Sequence, residues 1–352
     1  MLSNKTILIT GGTGSLGKVL TRRLLSGELG TPKKIIIFSR DEAKQHAMRV
    51  EYMNKVHVTD EVIYHNFERL LEFQIGDVRD FHSVASAMRN VDIVFNTAAL
   101  KQVPTCEYFP YQAVMTNIEG PENIIRAIQE HELPVETVVG ISTDKACKPV
   151  NVMGMTKAIQ ERVFIQGNMR CPNTRIICVR YGNVLASRGS VIPFFHEQIK
   201  AGGPVTITTT DMTRFLLSLN QAVDTIFAAL RDGKRGETFI PRVPSALITD
   251  LAEILIGDRP IKTTVTGVRP GEKIHEILIS EEECHRTIER GNYYAIMPIL
   301  PEVNFEKELV PAISKEYSSV DDLMSRVELQ KLLQDQKLMV DDEANHNGEF
   351  LR

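Results

Sequence analysis

A carboxylic acid and an amine stand side by side at Asp144 and Lys145, directly after the apolar run 135–142, and Lys157 follows twelve residues later. An aspartate can donate a proton and a lysine of lowered pKa can accept one, so the pair could perform acid–base chemistry. Neighbouring opposite charges are also common in exposed loops, where they have no function. The position after a predicted strand, where doubly wound sheets bind ligands, favours the functional interpretation.

The elements that must position this pair are strands alternating with helices. Continuous apolar runs of this kind are typical of strands that helices cover on both faces. Their alternation with helical periodicity predicts βαβ crossovers and a parallel sheet. The predicted strands occupy residues 5–10, 33–38, 71–75, 92–96, 135–142 and 175–181. The predicted fold class is therefore α/β, a Rossmann-type doubly wound parallel sheet.

After about residue 183 the pattern changes to short extended segments between helical stretches, which indicates a smaller α+β substrate-binding portion. The extended segments are predicted at 204–208, 214–218, 237–241 and 263–267, and the helices near 190–201, 218–232 and 248–256. An amphipathic helix is predicted at residues 318–338, near the C-terminal end of the sequence. We predict a dinucleotide-binding domain at 1–183 with later segments interleaved, the substrate-binding portion at 184–300, and a C-terminal helix with a mobile tail at 301–352.

A glycine-rich segment joins the first predicted strand to the first predicted helix. Its glycine spacing permits a tight turn, lets backbone N–H groups approach a pyrophosphate, and allows close packing of helix on strand. The helix N-terminus adds a partial positive charge for the anion. A turn without a ligand can have the same composition, but this position favours a dinucleotide site. The loop residues that we assign to the cofactor are Gly11, Thr13, Gly14, Ser15, Leu16 and Gly17.

The end of the second predicted strand indicates which dinucleotide is preferred. NAD-binding sites place a carboxylate there for the ribose 2′-hydroxyl, whereas this chain has Ser39 and Arg40, with Lys44 one turn further on. A hydroxyl and a guanidinium suit a 2′-phosphate, so the sequence favours NADP over NAD. Alternatively, these residues form a solvated helix start in which Asp41 favours the helix dipole.

Two further strand ends carry candidate ligand-binding residues. Asp77 and Val78 follow the third strand, where Asp77 could bind the adenine amino group, cap the helix predicted at 80–89, or do both. Lys101 lies just past the fourth strand, facing the cofactor or the substrate.

Composition excludes several classes of protein. The 41 Lys and Arg against 45 Asp and Glu give a net charge of −4, so a basic nucleic-acid footprint is absent. No run approaches the roughly 18 apolar residues of a membrane span, and the N-terminus lacks a signal-peptide pattern, so we expect a cytoplasmic protein. The five cysteines form no CxxC pair, and the histidines, including His196 and His275, have no ligand spacing, so we expect no metal site.

Several separated segments carry a family resemblance. They are TGGTGSLG (10–17), STDKACKPVNVMGMTK (142–157), RYGNVLASRGSVIPFF (180–195) and RPGEK (269–273). Together they resemble the extended short-chain dehydrogenase/reductase superfamily and, more narrowly, the UDP-N-acetylglucosamine 4,6-dehydratases of bacterial surface-polysaccharide and flagellar-glycan pathways. The resemblance extends from about residue 4 to about residue 300 and implies nothing about the residues after that.

The resemblance implies a lyase with a tightly held NADP that is reduced and reoxidised within one turnover. Oxidation at carbon 4 of the sugar makes a ketone that acidifies the proton on carbon 5. Water then leaves across carbons 5 and 6, and the hydride returns to carbon 6. In this scheme Asp144 protonates the departing 6-hydroxyl, Lys145 is the base at carbon 5, and Thr143 holds the 4-oxygen. Lys145 would need a lowered pKa, which burial, Lys157 and the oxidised nicotinamide would produce.

One position departs from the Tyr-x-x-x-Lys signature of the superfamily, because Met153 stands where tyrosine is usual. A thioether has no proton to exchange, although some polysaccharide-type dehydratases resemble this pattern. We assign removal of the 4-hydroxyl proton to Asp144, relayed through Thr143 or water, and the nicotinamide ribose to Lys157. Alternatively, Met153 is a core residue of an NADP-binding protein without catalytic activity.

The resemblance also indicates how UDP-N-acetylglucosamine would be bound: arginines on the diphosphate, where a planar guanidinium suits phosphate oxygens, a carboxylate on the uridine ribose, and a short strand on the uracil. The residues assigned to the substrate are Lys101, Asn183, Arg188, Val205, Thr206, Arg214, Arg269 and Glu272. Further residues assigned to the cofactor are Ala98, Ala99, Lys101 and Asn117.

Two other functions remain open at the level of sequence. A UDP-sugar 4-epimerase shares the fold and the oxidation at carbon 4, but it needs no acid–base pair for elimination. An NADP-binding sensor without turnover is suggested only by Met153. We also expect a homo-oligomer, in which a helix at 108–131 contacts another subunit through Val114, Ile118 and Ile125, although core packing explains the same stripe.

Overall fold

The computed structural model describes residues 1–54, 61–185, 190–304 and 310–342, with the side chains of 54 and 61–65 excepted. The strands in these ranges are β1 (Thr6–Thr10), β2 (Lys34–Ser39), β3 (Leu71–Ile75), β4 (Ile93–Asn96), β5 (Thr137–Thr143), β6 (Arg175–Tyr181), β7 (Asn183–Val184), β8 (Val205–Ile207), β9 (Thr213–Leu217), β10 (Thr238–Pro241), β11 (Ser245–Leu247), β12 (Thr263–Val265), β13 (Ile277–Ile279), β14 (Thr287–Arg290), β15 (Tyr293–Ile296) and β16 (Tyr317–Ser318).

The helices of the same ranges lie between these strands. They are α1 (Ser15–Leu25), α2 (Glu42–Asn54), α3 (Glu61–Leu70), α4 (Phe81–Ala87), α5 (Val103–Tyr108), α6 (Pro110–Val114), α7 (Gly120–His131), α8 (Val152–Arg170), α9 (Val191–Lys200), α10 (Leu219–Asp232), α11 (Ile248–Ile256), α12 (Glu281–Cys284) and α13 (Arg326–Asp335). None of them is long and apolar enough to cross a membrane.

A nine-stranded sheet forms the centre, in the order β3-β2-β1-β4-β5-β6-β10-β15-β14. The strands from β3 to β10 are parallel, and β15 and β14 are antiparallel to their neighbours. The α/β doubly wound prediction is therefore confirmed, with the six predicted strands of the first half within two residues of their bounds. The later strands β10, β14 and β15 extend the same sheet.

Both faces of the sheet are buried, which explains the continuous apolar runs. Successive strand residues point to opposite faces: Ile7 and Ile9 pack in one cluster with Leu20 of α1, and Leu8 packs in another with Ile124 of α7. The carboxyl ends of β1, β2, β4 and β5 consequently meet at one edge, and the loops that follow them carry the candidate site.

A third apolar cluster holds the smaller portion together. Helix α9 contributes Phe195, α11 contributes Leu251 and α13 contributes Leu329. Next to it lie a three-stranded sheet, β11-β9-β7, and the pair β12-β8, whereas the pair β13-β16 packs Leu278, Ile279 and Tyr317 against the first cluster. The helices predicted near 190–201, 218–232 and 248–256 are confirmed, whereas β7, β11, β13 and β16 are too short to give a periodic signal. The division into domains remains a prediction.

Two predicted helices differ from the structure, and a third agrees with it to within two residues. The helix expected at 108–131 is divided into α5, α6, a π-helical turn (Met115–Glu119) and α7, with Pro110 and Pro121 in the first turns of α6 and α7, where a missing N–H is tolerated. The helix expected at 318–338 is the shorter α13, which Ser325 caps. The helix expected at 80–89 is α4. The homo-oligomer remains a prediction.

Candidate active site

The glycine loop after β1 has the geometry of a dinucleotide cradle. Gly11 has a φ of +66°, and a Cβ there would lie 2.8 Å from the Ala98 Cα. A Cβ on Gly17 would lie 2.5 Å from the Gly12 Cα, so helix and loop touch through glycine alone. Gly14 is the N-cap of α1 and supplies no side-chain cap. The N-terminus of this helix, with its partial positive charge, is where a pyrophosphate would bind.

The end of β2 carries a hydroxyl and a guanidinium, without a carboxylate on the strand itself. Ser39 is buried, and its Oγ accepts hydrogen bonds from Gln45 Nε2 (3.1 Å) and Thr13 Oγ1 (3.4 Å). Arg40 is exposed. The Lys44 ammonium lies 3.0 Å from Asp41 Oδ2. The contact of Gln45 with Ser39 was not predicted, because glutamine is a common helix residue and its position in the sequence does not indicate this hydrogen bond.

The end of β3 places Asp77 against Arg79, whose Nη2 donates to Asp77 Oδ2 at 2.6 Å. The two residues line a cavity of about 330 Å³ together with Asp80, Tyr111, Gln112 and Met115. Asp80 caps α4, because its carboxylate accepts from the backbone N–H groups of His82 and Ser83. The prediction that Asp77 caps this helix is therefore wrong, and its contact with adenine remains a prediction. Val78 is buried beside it.

Asn117 fixes the loop that follows β4. Its Oδ1 accepts from Leu100 N (2.8 Å), and its Nδ2 donates to Leu100 O (2.9 Å) and to Thr156 Oγ1 of α8 (3.0 Å). The π-helical turn is what points this fully buried amide inward. Asn117 thereby fixes the segment that carries Ala98, Ala99 and the exposed Lys101, whose roles at the site remain predictions.

A 3-10 turn (Asp144–Ala146) directly after β5 carries the acid–lysine pair. Thr143 Oγ1 donates to Asp144 Oδ1 at 2.8 Å, and Lys145 Nζ donates to the same oxygen at 3.1 Å. Lys145 Nζ also lies 3.0 Å from Glu276 Oε1. Asp144 is 0% exposed and Glu276 1%, and the Lys145 side chain is 21% exposed. The alternative of an exposed charge pair in a loop is therefore wrong.

The charges around Lys145 set its pKa in the direction opposite to the prediction. Burial lowers the pKa of this lysine, but the carboxylates of Asp144 and Glu276 outweigh burial and raise it. The prediction took account of burial, Lys157 and the oxidised nicotinamide, but not of a carboxylate 131 positions away. Burial raises the pKa of Asp144, which favours its protonated form. Burial also lowers the pKa of Lys157 to about 8.

Three buried oxygens near this turn have no hydrogen-bond donor among the described residues: Asp144 Oδ2, Glu276 Oε2 and Asn183 Oδ1. A Cβ on Gly182 would lie 3.5 Å from Asp144 Oδ2, so this oxygen faces the start of β7. Buried acceptors without donors cost about 1–3 kcal/mol each. Such a group of acceptors suits a ligand that is rich in hydroxyl donors.

Helix α8 packs its first turns against the 3-10 turn. Asn151 caps this helix and donates to Gly271 O at 2.7 Å, which ties the MGMTK segment to RPGEK. Lys157 Nζ donates to Ile141 O (2.6 Å) and Gln160 Oε1 (2.8 Å). Met153 is buried in a small apolar cluster with Cys106 and Ala113. The structure thus gives Met153 a core position, and the place in the catalytic set that its position in the Tyr-x-x-x-Lys spacing indicates remains a prediction.

Gly154 allows this close approach, because a Cβ there would lie 2.2 Å from the backbone O of Lys145. We expect Gly154→Ala to lower the free energy of unfolding by about 1–3 kcal/mol, since the turn has to move. Met155→Ala, at an exposed neighbour, should change it by less than about 0.5 kcal/mol. Urea unfolding of both variants measures the difference, and equal stability of the two would contradict the packing described.

The predicted substrate residues lie in several places. Arg214 is buried, and its guanidinium donates to the backbone oxygens of Thr213, Ile274 and Lys273. It also lies 3.5 Å from Glu272 Oε1 and 3.9 Å from Glu276 Oε1. Its guanidinium is therefore occupied by the protein itself, which the sequence did not predict.

Other substrate candidates are spread around this group. Thr206 donates its N–H to Gln198 Oε1 at 3.0 Å, and its hydroxyl accepts from Gln198 Nε2 at 2.8 Å. Val205 is buried and Arg269 is exposed. Arg188 lies outside the described residues. The structure brings Arg214, Glu272 and Glu276 together.

A buried charge cluster that the sequence did not predict lies behind the site. Arg180 of β6 contacts Glu161 of α8 and Glu283 of α12, each at 2.7 Å. Glu161 Oε1 also accepts from Ser142 Oγ at 2.5 Å. The cluster joins β5, β6, α8 and α12, and so fixes the end of β5 from which the acid–lysine turn begins. The signal was available for Arg180, a charged residue inside the apolar run 175–181.

The fold and the site define an extended short-chain dehydrogenase/reductase. The profile of the family described as "Polysaccharide biosynthesis protein" matches residues 7–298, and the chain belongs to this family. A UDP-glucose 4-epimerase of Rickettsia canadensis is 44% identical over 330 residues, 92% of each chain. The UDP-glucose 4-epimerase of Rickettsia conorii is 44% identical over 320 residues, 90% of this chain and 89% of the other.

Solved structures share this fold. Pen from Bacillus thuringiensis is 34% identical with a TM-score of 0.85, over 96% of this chain and 100% of its own. A dTDP-glucose 4,6-dehydratase from Streptomyces venezuelae with NAD and TYD bound has a TM-score of 0.63 at 20% identity, over 76% of this chain and 86% of its own. The family and the relatives support an enzyme of the type that modifies nucleotide sugars.

Proposed function

We propose that this chain is an NADP-dependent UDP-N-acetylglucosamine 4,6-dehydratase of bacterial surface glycan synthesis. The observation that carries the proposal is the buried acid–lysine pair directly after β5, beside unpartnered acceptor oxygens. Oxidation at carbon 4 alone does not need a proton donor and a proton acceptor for carbons 5 and 6. Elimination of water needs both.

The side chains have separate tasks in this reaction. When bound, a nicotinamide dinucleotide supplies the temporary acceptor for the hydrogen of carbon 4, and the glycine loop and Lys157 would hold it. Asp144 takes the proton of the 4-hydroxyl, relayed through Thr143 or water, and gives it to the departing 6-hydroxyl; its raised pKa favours holding the proton between the two steps. Thr143 orients Asp144 through their 2.8 Å hydrogen bond and is placed to bind the 4-oxygen. The neutral form of Lys145 takes the proton from carbon 5 and returns it to that carbon at the end of the turnover.

A UDP-sugar 4-epimerase is the second candidate, and the names of the curated relatives favour it. An epimerase oxidises and reduces carbon 4 on opposite faces of the sugar and leaves carbons 5 and 6 unchanged. The carboxylates around Lys145 have no part in that reaction, which is why we prefer the dehydratase.

Mass spectrometry combined with proton NMR of the sugar separates the candidates. Purified protein incubated with UDP-N-acetylglucosamine and NADP should give a product that is lighter by one water. An isobaric product would identify an epimerase. An unchanged substrate over hours would contradict both activities on this sugar.

The proposed preference for NADP depends on Arg40, an exposed cation at the end of β2. We expect Arg40→Ala to weaken NADP binding about tenfold or more, because a charge-assisted hydrogen bond to the 2′-phosphate is lost. NAD has no 2′-phosphate, so its affinity should remain within about twofold and serves as the internal control. Calorimetric titration of cofactor-free protein measures both, and an equal loss for the two dinucleotides would contradict the assignment.

A further inference from the structure

We infer that Lys273 is a positioning residue of the active site: its ammonium holds the acid–lysine turn against the segment RPGEK through the backbone oxygen of Cys147. Cys147 directly follows the 3-10 turn that carries the acid–lysine pair. The inference rests on the proposed function, because it assigns a task in the dehydration to the lysine of RPGEK. Arg269 and Glu272 of that segment are predicted to bind the substrate, whereas Lys273 has no task in that prediction.

Two segments that are far apart in the sequence, 145–151 and 271–276, lie side by side at the turn and form a seam. Their contacts run in opposite directions along the two segments. The contacts are Lys145 Nζ to Glu276 Oε1 at 3.0 Å, Lys273 Nζ to Cys147 O at 2.5 Å, and Asn151 Nδ2 to Gly271 O at 2.7 Å. Lys273 therefore supplies the middle contact of this seam.

The main chain of Lys273 is held from the other side by β9. Arg214 donates from Nη2 to Lys273 O at 3.0 Å and from Nη1 to Ile274 O at 2.9 Å. The backbone N–H of Thr213 also donates to Ile274 O at 3.1 Å. Because its backbone is fixed to β9 and its ammonium reaches the turn after β5, Lys273 connects the smaller portion to the central sheet.

A positive charge suits this place for two reasons. A charge-assisted hydrogen bond to a backbone oxygen is roughly twice as strong as a neutral one. Burial lowers the pKa of Lys273, and the carboxylates of Glu276 and Asp144 act against burial. The Lys145 ammonium repels that of Lys273, and the same repulsion disfavours the charge of Lys145. Lys273 thus favours the neutral form of Lys145 that the proposed reaction needs at carbon 5.

The turn has to keep its place relative to the sugar for both of its proton transfers. Asp144 Oδ1 accepts from Thr143 and from Lys145 within the same turn, so a displacement moves the acid and the base together. The N–H of Cys147 closes the turn by donating to Asp144 O at 3.1 Å, and the oxygen of the same residue accepts from Lys273. A misplacement of about 1 Å can lower a rate roughly a hundredfold.

The first test needs no substrate. In Lys273→Met the backbone N–H of Cys147 should exchange with deuterium at least about tenfold faster than in wild type, because the turn opens more often without its clamp. Lys200→Met changes an exposed lysine at the end of α9; it is the matched control and should leave this rate unchanged. Mass spectrometry of the peptide that contains residues 144–148 measures both. An unchanged rate in Lys273→Met would overturn the inference.

The second test measures kcat and KM for water loss. Lys273→Met should lower kcat at least about tenfold and leave KM for UDP-N-acetylglucosamine within about threefold, because an interaction that positions the turn acts mainly on the transition state. Lys273→Arg keeps the charge and a donor, and should restore part of kcat. Lys200→Met should match wild type.

Unfolded protein is kept out of this comparison, because kcat is expressed per NADP-binding site determined by titration. A kcat of Lys273→Met within about twofold of wild type would overturn the inference. So would a raised KM at unchanged kcat, which would show that Lys273 binds the substrate and does not position the turn.

The two proposals fail in different ways. If wild-type protein releases no product lighter by one water, the dehydratase proposal fails, and the task of Lys273 in that reaction fails with it. The exchange measurement still decides whether Lys273 holds the turn. If wild type is active and Lys273→Met matches it, only the role of Lys273 is wrong.

Discussion

Replacement of Lys145 by alanine is expected to lower the rate of water loss by about 10²–10⁴-fold, the usual contribution of a positioned acid–base group. The reason is that no other lysine is described within contact of both Asp144 and Glu276. Exchange of the carbon 5 proton with solvent should stop at the same time. Mass spectrometry of the product and NMR of substrate in D₂O measure the two effects.

The control for this variant is Lys148→Ala, an exposed lysine of the same loop that pairs with Glu281 and Glu316. It should retain wild-type activity. Lys145→Ala should still bind NADP, because the glycine loop and Lys157 are untouched. Normal product release by Lys145→Ala would show that the assigned base is wrong.

Replacement of Arg180 by methionine should have the largest effect on stability. The change leaves Glu161 buried without the counter-ion Arg180 and leaves Glu283 with only the longer contact to Arg286 at 3.7 Å. Breaking a buried ion pair typically costs about 3–5 kcal/mol. The guanidinium also donates to Leu278 O at 2.8 Å, so β13 loses a contact with the sheet. Denaturant unfolding followed by circular dichroism measures the loss.

Arg231→Met is the matched control, because Arg231 forms an exposed pair with Asp232 at 2.8 Å. Exposed pairs contribute about 0–1 kcal/mol, so this variant should unfold close to wild type. If Arg180→Met were no less stable than Arg231→Met, the buried cluster would not be what joins β6 to α8 and α12.

The central sheet could be predicted because its signal is local. Residues such as Ile7, Leu8 and Ile9 are all buried, and a run that is apolar at every position indicates a strand covered on both faces. The short strands β13 and β16 depend on pairing with each other, at a separation of about forty positions. A strand of three residues and one of two residues are too short to show a periodic pattern, so their sequences do not reveal this contact.

The acid–lysine pair could be placed at the edge of the sheet, but its charge state could not be predicted. The ionisation of Lys145 depends on Glu276. These two residues are 131 positions apart in the sequence, and the fold brings Glu276 Oε1 to 3.0 Å from Lys145 Nζ. Glu276 directly precedes the apolar run Ile277–Ile279, and this position indicates a buried charge. The sequence alone does not show which residue pairs with it. Met153 likewise shows its apolar surroundings only in the folded chain.

The most direct test follows the hydrogen on carbon 4 of the sugar. UDP-N-acetylglucosamine carrying deuterium at carbon 4 is incubated with the protein and NADP, and the product is examined by NMR. We expect the deuterium in a methyl group at carbon 6, next to a ketone at carbon 4, in a product lighter by one water. Deuterium still on carbon 4 of an isobaric product whose NMR spectrum is that of the 4-epimer and not of the substrate would contradict the dehydratase and identify an epimerase.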